Sequence, residues 1–315
     1  MKLIFLVSQP RSGSTMLQAV LSNHNAIATR SEPWVQLLQA PLLNPDLVRA
    51  PFDWKITVDA VGEVEEGGTC LLDAKAALKG VADKLYSEAA CGADFFLDKT
   101  PRYYYMLKEL YALYPDAQFL VLLRHPVSVL ASIQKTWLSE KRFESLYDYS
   151  GDLIDAPRLM NEFVEAYGES DRVMTVEYEQ LVTTPSSAFA SIFEWLGLEY
   201  SDELLSYGGN TAYTGKYGDP SGVQQGKVEA RSPKLQKQFN EVFPNKRLAH
   251  LASGLAAFYQ REGYTFSGSD EWEAAAQTRE FARFLREHQM RGRKTIPTRA
   301  CIRLLMDRLL VRLGL

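Results

Sequence analysis

Short apolar runs alternate along the chain with longer segments in which apolar residues recur at helical spacing. Continuous apolar runs are typical of strands buried on both faces, and the longer amphipathic segments are typical of helices. The alternation therefore predicts an α/β fold, in which helices flank a central parallel sheet. The predicted strands are residues 2–7, 94–97, 118–123 and 172–177. The predicted helices are residues 14–23, 71–90, 102–113, 127–138, 157–168, 186–196, 234–242, 246–262, 272–290 and 299–313.

Two stretches break this alternation. Residues 40–68 contain several prolines and glycines, and this composition predicts a loop-rich insertion. Residues 207–232 are rich in Gly, Ser, Tyr and Gln, and we expect them to form a mobile lid. Both stretches belong to a main domain, residues 1–268, which is followed by a helical C-terminal extension, residues 269–315. We expect the extension to pack on the domain or on a partner.

The first predicted strand ends in a tight polar loop from which a helix starts at once. Such a loop presents backbone N–H groups and a helix N-terminus to an anion. The loop is not that of a nucleoside-triphosphate site, because no Lys follows Gly13. An ordinary strand-to-helix turn is the alternative interpretation. The candidate anion ligands are Pro10, Arg11, Ser12, Gly13, Ser14 and Thr15.

A second phosphate-binding pattern follows the strand at residues 118–123. Arg124 stands directly after the strand, and Pro126 suits the first turn of a new helix. Ser132 lies about two turns into that helix. Arg124 and Ser132 can therefore grip a second phosphate with a guanidinium fork and a hydroxyl.

Together, P-R-S-G-S-T after the first strand and R-x-P-x-x-x-x-x-S after a later strand resemble the sulfotransferases that use PAPS (3'-phosphoadenosine 5'-phosphosulfate). Two further segments fit this family. The strand at residues 172–177 leads into Y-E-Q-L, and residues 99–104 read K-T-P-R-Y-Y. The resemblance extends over residues 3–185. It implies the sulfotransferase fold, which is similar to that of the P-loop NTPases.

The resemblance also implies roles for the candidate binding residues. In this family the first loop holds the 5'-phosphosulfate, and the second motif, here Arg124 and Ser132, holds the 3'-phosphate. The family's Tyr at the place of Tyr178 lies by the adenine. In this family a basic loop late in the sequence closes the nucleotide site. The candidates for this role are Lys227 and Arg231, and the alternative is that they belong to an ordinary exposed basic loop.

The candidate catalytic residues are Arg11, Glu32 and Lys99. Tyrosylprotein and heparan sulfotransferases place a catalytic Glu at about the position of Glu32, where a buried carboxylate could take the acceptor's proton. The alternative is a helix cap or an ion pair with Arg30. Lys99 follows a short strand and could balance sulfate charge, or it could be exposed and paired with Asp98.

Cytosolic small-molecule sulfotransferases use a catalytic His instead. Of the four histidines, His24 reads as a helix-end residue and His125 lies inside the phosphate motif. Neither looks like that base, and the chain therefore resembles the tyrosylprotein, heparan and bacterial types more closely. An aromatic run, residues 103–105, is a candidate lining of the acceptor pocket, although such runs more often pack in a core.

Composition narrows the cellular context. The formal net charge of −4 over 315 residues gives no reason to expect nucleic-acid binding. Three scattered cysteines favour reduced thiols and a cytoplasmic protein rather than disulfides or a zinc site. The apolar run after Met1 is too short for a signal peptide.

Residues 279–315 contain ten Lys or Arg and three Asp or Glu, so the end of the chain carries +7. Its last predicted helix could contact a membrane or an acidic partner, but packing is favoured.

The resemblance implies an enzyme that moves a sulfuryl group from PAPS to a hydroxyl or amine, in line and without a metal, with Glu32 as general base. We expect the acceptor to be a small metabolite or a carrier-bound acyl chain. Two alternatives remain at this point. One is a small-molecule kinase or another phosphate-handling enzyme. The other is a non-catalytic module that binds PAPS or its product PAP (adenosine 3',5'-bisphosphate).

Overall fold

A computed structural model describes residues 1–48, 54–63, 70–138, 143–206, 226–228, 230, 246–264 and 278–292. Its centre is a sheet of five parallel strands in the order β2-β3-β1-β4-β5. Because every strand runs in the same direction, all five carboxyl ends lie at one edge of the sheet. The strands are β1 (Lys2–Ser8), β2 (Ile27–Arg30), β3 (Phe95–Asp98), β4 (Gln118–Leu123) and β5 (Val173–Glu177).

Helices cover both faces of this sheet. The α-helices are α1 (Ser14–Leu21), α2 (Ala40–Leu43), α3 (Trp54–Glu63), α4 (Cys70–Ala90), α5 (Leu107–Leu113), α6 (Pro126–Trp137), α7 (Ser150–Tyr167), α8 (Tyr178–Thr183), α9 (Pro185–Leu196), α10 (Lys246–Arg261) and α11 (Arg279–Gly292). Short 3-10 helices span Val35–Leu38, Pro45–Leu47, Pro101–Met106, Phe143–Tyr149 and Asp202–Leu205.

Successive residues of β1 belong to two separate hydrophobic cores. Leu3 and Phe5 pack in a core that includes side chains of α5, α7 and α10, whereas Ile4 and Leu6 pack in a core that includes α1 and α9. This division follows from the two-residue period of a strand, which places neighbouring side chains on opposite faces. β1 is buried on both faces, and this agrees with its continuous apolar sequence.

The predicted α/β fold with a central parallel sheet is confirmed, but two local predictions are wrong. No strand was expected at β2, a four-residue edge strand in which Ile27 and Thr29 are buried and Ala28 and Arg30 are half-buried. Residues 40–68 were expected to be loop-rich, yet their described parts are largely helical. Pro41 and Pro45 lie in the first turns of helices. Proline is tolerated there because a backbone N–H in the first turn has no hydrogen-bond acceptor within the helix.

The C-terminal helices lie on the first of these cores. α10 packs against α6, and α11 packs against α10 and α7, with Phe281 and Phe284 fully buried. Gly254 in α10 allows this approach, because a Cβ atom there would collide with Phe281. The predicted helices at residues 234–242 and 299–313 and most of the predicted lid lie outside the described residues. None of the described helices combines the length and apolar character that crossing a membrane requires.

Candidate active site

The carboxyl edge of the sheet gathers the sequence motifs into one region. The loop that contains Arg11 follows β1, Arg124 follows β4, and Tyr178 follows β5. On the other side of β1, Lys99 follows β3 and Glu32 follows β2 after one intervening residue. The order of the strands therefore places the loop in the middle of the edge, with Lys99 and Glu32 on one side and Arg124 and Tyr178 on the other.

The loop between β1 and α1 adopts a conformation suited to an anion. Arg11 and Gly13 have left-handed backbones, with φ of 70° and 91°. Gly13 is required here, because a Cβ atom would also collide with the Tyr178 ring. The Ser12 hydroxyl is completely buried and has no hydrogen-bond partner among the described residues. A buried hydroxyl in this state is suited to bind a ligand oxygen, and the amides of Ser14 and Thr15, the first two residues of α1, have no acceptor within the helix.

Arg124 contacts both the loop and the start of α8. Its Nη1 donates to the Arg11 carbonyl oxygen at 2.8 Å, and its guanidinium lies 4.0 Å from the centroid of the Tyr178 ring. Tyr178 therefore packs against Gly13 on one side and Arg124 on another. A planar ligand or phosphate that enters here meets a cation already oriented by an aromatic face.

The Arg11 side chain extends along α6. Its Nε donates to the Ser132 hydroxyl at 3.1 Å, and its Nη2 donates to the Thr136 hydroxyl at 3.1 Å. The guanidinium also lies 5.7 Å from the centroid of the Trp137 ring. The structure thus joins Arg11 and Ser132, which the sequence assigned to different phosphates. Thr136 was missed, although its position one helical turn after Ser132 could have indicated it.

Glu32 and Lys99 form a buried ion pair. The Nζ of Lys99 lies 3.0 Å from Oε1 of Glu32, and the side chains are 1% and 18% exposed. Lys99 is therefore not the exposed lysine of the alternative interpretation, and Glu32 is paired with it. A carboxylate that still reaches solvent beside a buried cation can accept a proton and leave a positive charge behind.

A buried polar network supports the segments that carry this pair. Asp98 accepts hydrogen bonds from Tyr86 at 2.5 Å and Thr100 at 2.7 Å, and burial raises the pKa of Asp98 to about 6. Gln36 donates to the hydroxyls of Tyr86 and Tyr114, both at 2.9 Å. The network links the turn after Glu32 to β3 and α4. Gln36 and Tyr86 were missed because they are distant in sequence and belong to no motif.

A second network anchors the anion loop from the opposite side. Gln9 is fully buried and donates to the Asp152 carbonyl oxygen at 3.0 Å and to the Tyr259 hydroxyl at 2.8 Å. The Asp152 carboxylate accepts both bonds of the Arg102 guanidinium, at 3.0 and 2.8 Å, and one from the Tyr104 hydroxyl at 2.7 Å. The loop is thereby tied to α7, α10 and the segment after Lys99.

His125 and Glu179 lie beneath the Arg124 side of the edge. Burial and the nearby Arg124 lower the pKa of His125 to about 4, so the imidazole is neutral at physiological pH. Its Nδ1 accepts the N–H of Val127 at the start of α6. The His125 N–H donates to Glu179 Oε1 at 3.1 Å, and burial raises the pKa of this carboxyl. His125 is therefore a helix cap and not a general base.

The remaining sequence candidates lie elsewhere. Tyr103 and Tyr104 are buried in the first core with their hydroxyls bonded inside the protein, so they do not line an open pocket. Lys227 is exposed, and its charge acts on Asp202. This region adjoins the end of α1 that is remote from the loop, because Asn23 bonds the nearby Leu204 carbonyl oxygen. The structure does not bring Lys227 to the nucleotide motifs. Arg231 lies outside the described residues.

The fold and this edge define an α/β protein with an anion loop, two arginines and a buried Lys–Glu pair. A model of the sulfotransferase family matches residues 4–202, so the chain belongs to the sulfotransferase family. Within the described residues, no group of three or more His, Cys, Asp or Glu side chains is placed to hold a metal ion.

Individual relatives agree with this assignment. The chain is 36% identical over 135 residues to the nodulation protein NoeE of Sinorhizobium fredii, covering 42% of this chain and 31% of that protein. It is 24% identical over 256 residues to protein-tyrosine sulfotransferase 2 of Gallus gallus, covering 80% and 64%. The chain thus spans about one to two thirds of these curated relatives. Its fold matches the sulfotransferase domain from the curacin biosynthetic pathway, with a TM-score of 0.54, 20% identity and coverage of 87% and 99%.

Proposed function

We propose that the protein transfers a sulfuryl group from PAPS to a hydroxyl or amine, with Glu32 as the general base. The observation that carries this proposal is the Lys99–Glu32 pair, which lies at the strand ends next to the anion loop. The loop would hold the 5'-phosphosulfate on one side of β1, and Arg124 with Ser132 would hold the 3'-phosphate on the other. The acceptor would approach over β2 and β3.

The residues present fit such a donor. The buried Ser12 hydroxyl without a described partner and the crowded Gly13 form a cradle for anionic oxygens. Tyr178, which lies beside Arg124, is the residue that would contact the adenine. We leave Lys227 out of the site because of its position. Arg231 stays a candidate for closing over the nucleotide.

The chemistry follows from charge. Glu32 would remove the acceptor's proton as a new O–S or N–S bond forms and the S–O bond to the 5'-phosphate of PAP breaks, with the electron pair leaving on the phosphate oxygen. Once Glu32 is protonated, the charge of Lys99 is no longer balanced by this carboxylate. Both Lys99 and Arg11 can then offset the negative charge on the sulfuryl and phosphate oxygens. Neither residue needs a metal for this role.

We propose a small metabolite or a carrier-bound acyl chain as the acceptor and the cytoplasm as the location. The three scattered cysteines support this location. The chain covers only 31% and 64% of the length of these two curated relatives, so it takes no acceptor from them. The acceptor therefore has to be found by screening.

Calorimetry with PAP, AMP and ATP tests the donor. We expect PAP to bind at least tenfold more tightly than AMP, which lacks the 3'-phosphate. ATP binding that is as tight as PAP binding, or tighter, would favour a kinase. If none of the three nucleotides binds, the loop is an ordinary strand-to-helix turn. Transfer of labelled sulfate from PAPS to a panel of hydroxyl and amine acceptors then tests the reaction. Glu32→Gln should retain PAP affinity within twofold and lose transfer at least a hundredfold.

A further inference from the structure

Glu179 is a buried carboxylate in the first turn of α8, and the phosphate and catalytic motifs assign it no task. It is 2% exposed, and its Oε2 atom has no hydrogen-bond partner among the described residues. Burying a carboxylate without full compensation is costly. A hydrophobic residue at this position would avoid that cost. The presence of a carboxylate therefore indicates that it has a function at this position.

Glu179 contacts the backbone of the segment that carries Arg124. Its Oε1 accepts the His125 N–H at 3.1 Å, directly after Arg124. The preceding residue, Tyr178, lies under the Arg124 guanidinium at 4.0 Å. The turn from β5 into α8 therefore makes two contacts with the turn from β4 into α6. Tyr178 contacts the Arg124 guanidinium, and Glu179 accepts the backbone N–H of His125.

The charge of Glu179 and its hydrogen bond act in opposite directions on an anion. The hydrogen bond fixes the strand-to-helix corner, which favours binding of a phosphate by Arg124. The buried negative charge lies close enough to interact with Arg124, and it opposes any further anion there. His125 adds no charge, because its imidazole is neutral. Substitutions can separate the two effects.

We propose that Glu179 is a positioning residue of the nucleotide site, which orients Arg124 toward a 3'-phosphate through the His125 N–H. This inference rests on the proposed function, since it needs Arg124 to be the 3'-phosphate ligand. Without Glu179, the buried N–H of His125 loses its acceptor and the corner is free to shift. Affinity for a nucleotide with a 3'-phosphate then falls, whereas affinity for one without it does not.

The test compares the binding of PAP and AMP by calorimetry in four variants. Glu179→Ala removes the acceptor, and Glu179→Asp retracts it by one methylene while keeping the charge. We expect each to weaken PAP at least tenfold and to leave AMP within twofold. Glu179→Gln keeps an oxygen for His125 and removes the charge, so it should bind PAP at least as tightly as the wild type. Glu194→Ala removes an exposed carboxylate from α9 and should change nothing.

Several outcomes overturn the inference. One is equal loss of PAP and AMP affinity in the Ala and Asp variants, because this would indicate general damage to the fold. Another is PAP affinity within twofold of the wild type in both variants. A loss in Glu179→Gln as large as in Glu179→Ala is a third, since glutamine still offers the acceptor. If Glu179→Ala does not fold, the Asp and Gln variants decide. Wild-type protein that does not prefer PAP to AMP would instead contradict the proposed function itself.

Discussion

Arg11 Nε and Ser132 Oγ lie 3.1 Å apart, although 121 positions separate the two residues in the chain. The proposed function assigns the Ser132 hydroxyl to a 3'-phosphate, so Arg11 and the nucleotide would share this group. Thr136 gives Arg11 a second acceptor on the same helix. The Ser132 hydroxyl can accept from Arg11 and still donate to a phosphate oxygen, so the nucleotide competes with Ser132 and Thr136 only for the donors of the Arg11 guanidinium.

Thr136→Val should tighten PAP binding, because it removes one partner of Arg11 and leaves Ser132 intact. One hydrogen bond contributes about 0.5–1.5 kcal/mol, which corresponds to roughly two- to tenfold in the dissociation constant. Calorimetry measures the effect, and Thr136→Ser is the matched control that keeps the hydroxyl. Weaker binding in Thr136→Val would show that Thr136 contacts the nucleotide directly.

The two partners of the Lys99–Glu32 pair should differ in their effect on stability. Glu32→Gln removes a carboxylate from a lysine that is 1% exposed, whereas Lys99→Met leaves a carboxylate that still reaches solvent. Removing one partner from a buried charge is strongly destabilising. Lys99 also interacts with Asp98, so we expect the loss for Glu32→Gln to exceed that for Lys99→Met, which should be about 1 kcal/mol or less. Urea unfolding measures both, and a larger loss in Lys99→Met would contradict this explanation.

Asp98 and His125 should make opposite contributions to the pH dependence of stability. The pKa of Asp98 is raised to about 6, so the folded state holds a proton that the unfolded state releases between pH 4 and 6. Its contribution therefore falls as pH rises through this window. The pKa of His125 is lowered to about 4, so the unfolded state holds the extra proton, and its contribution rises with pH from about 4 to 6.5.

Single substitutions should reveal these two slopes. Relative to the wild type, Asp98→Asn should gain unfolding free energy as pH rises from 4 to 6, by up to about 3 kcal/mol. His125→Asn keeps a helix-capping oxygen and should lose a similar amount from pH 4 to 6.5. Urea midpoints at several pH values measure both, and taking differences from the wild type cancels the other groups. Flat differences would mean that neither group titrates as its burial requires.

Gly13→Ala should damage both the fold and the nucleotide site. The left-handed backbone costs a residue with a Cβ atom about 1–2 kcal/mol, and this Cβ would also displace the Tyr178 ring from Arg124. We expect a lower thermal midpoint and at least tenfold weaker PAP binding. Gly197→Ala is the matched control, because it has φ of 72° but open space around its Cβ position. It should lower stability without changing PAP affinity.

Much of the fold was predictable from local sequence. Four of the five strands are apolar enough to be recognised individually. The anion loop and the Arg124 motif are recognisable from the types of residue that follow their strands. β2 was not predictable in this way, because its four residues, Ile27–Arg30, include a threonine and an arginine and form no apolar run. Its strand character depends on pairing with β3.

The sequence by itself determined the alternation of strands and helices, the order of the phosphate motifs and the family. Only the tertiary structure decided which residues meet. Glu32 and Lys99 are 67 positions apart and become partners because β2 and β3 are neighbours with parallel ends. Likewise, Glu179 reaches His125 only because β5 pairs with β4. The motifs show which side chains follow each strand. The distances between those side chains depend on the order of the strands in the sheet, and packing of the whole chain sets that order.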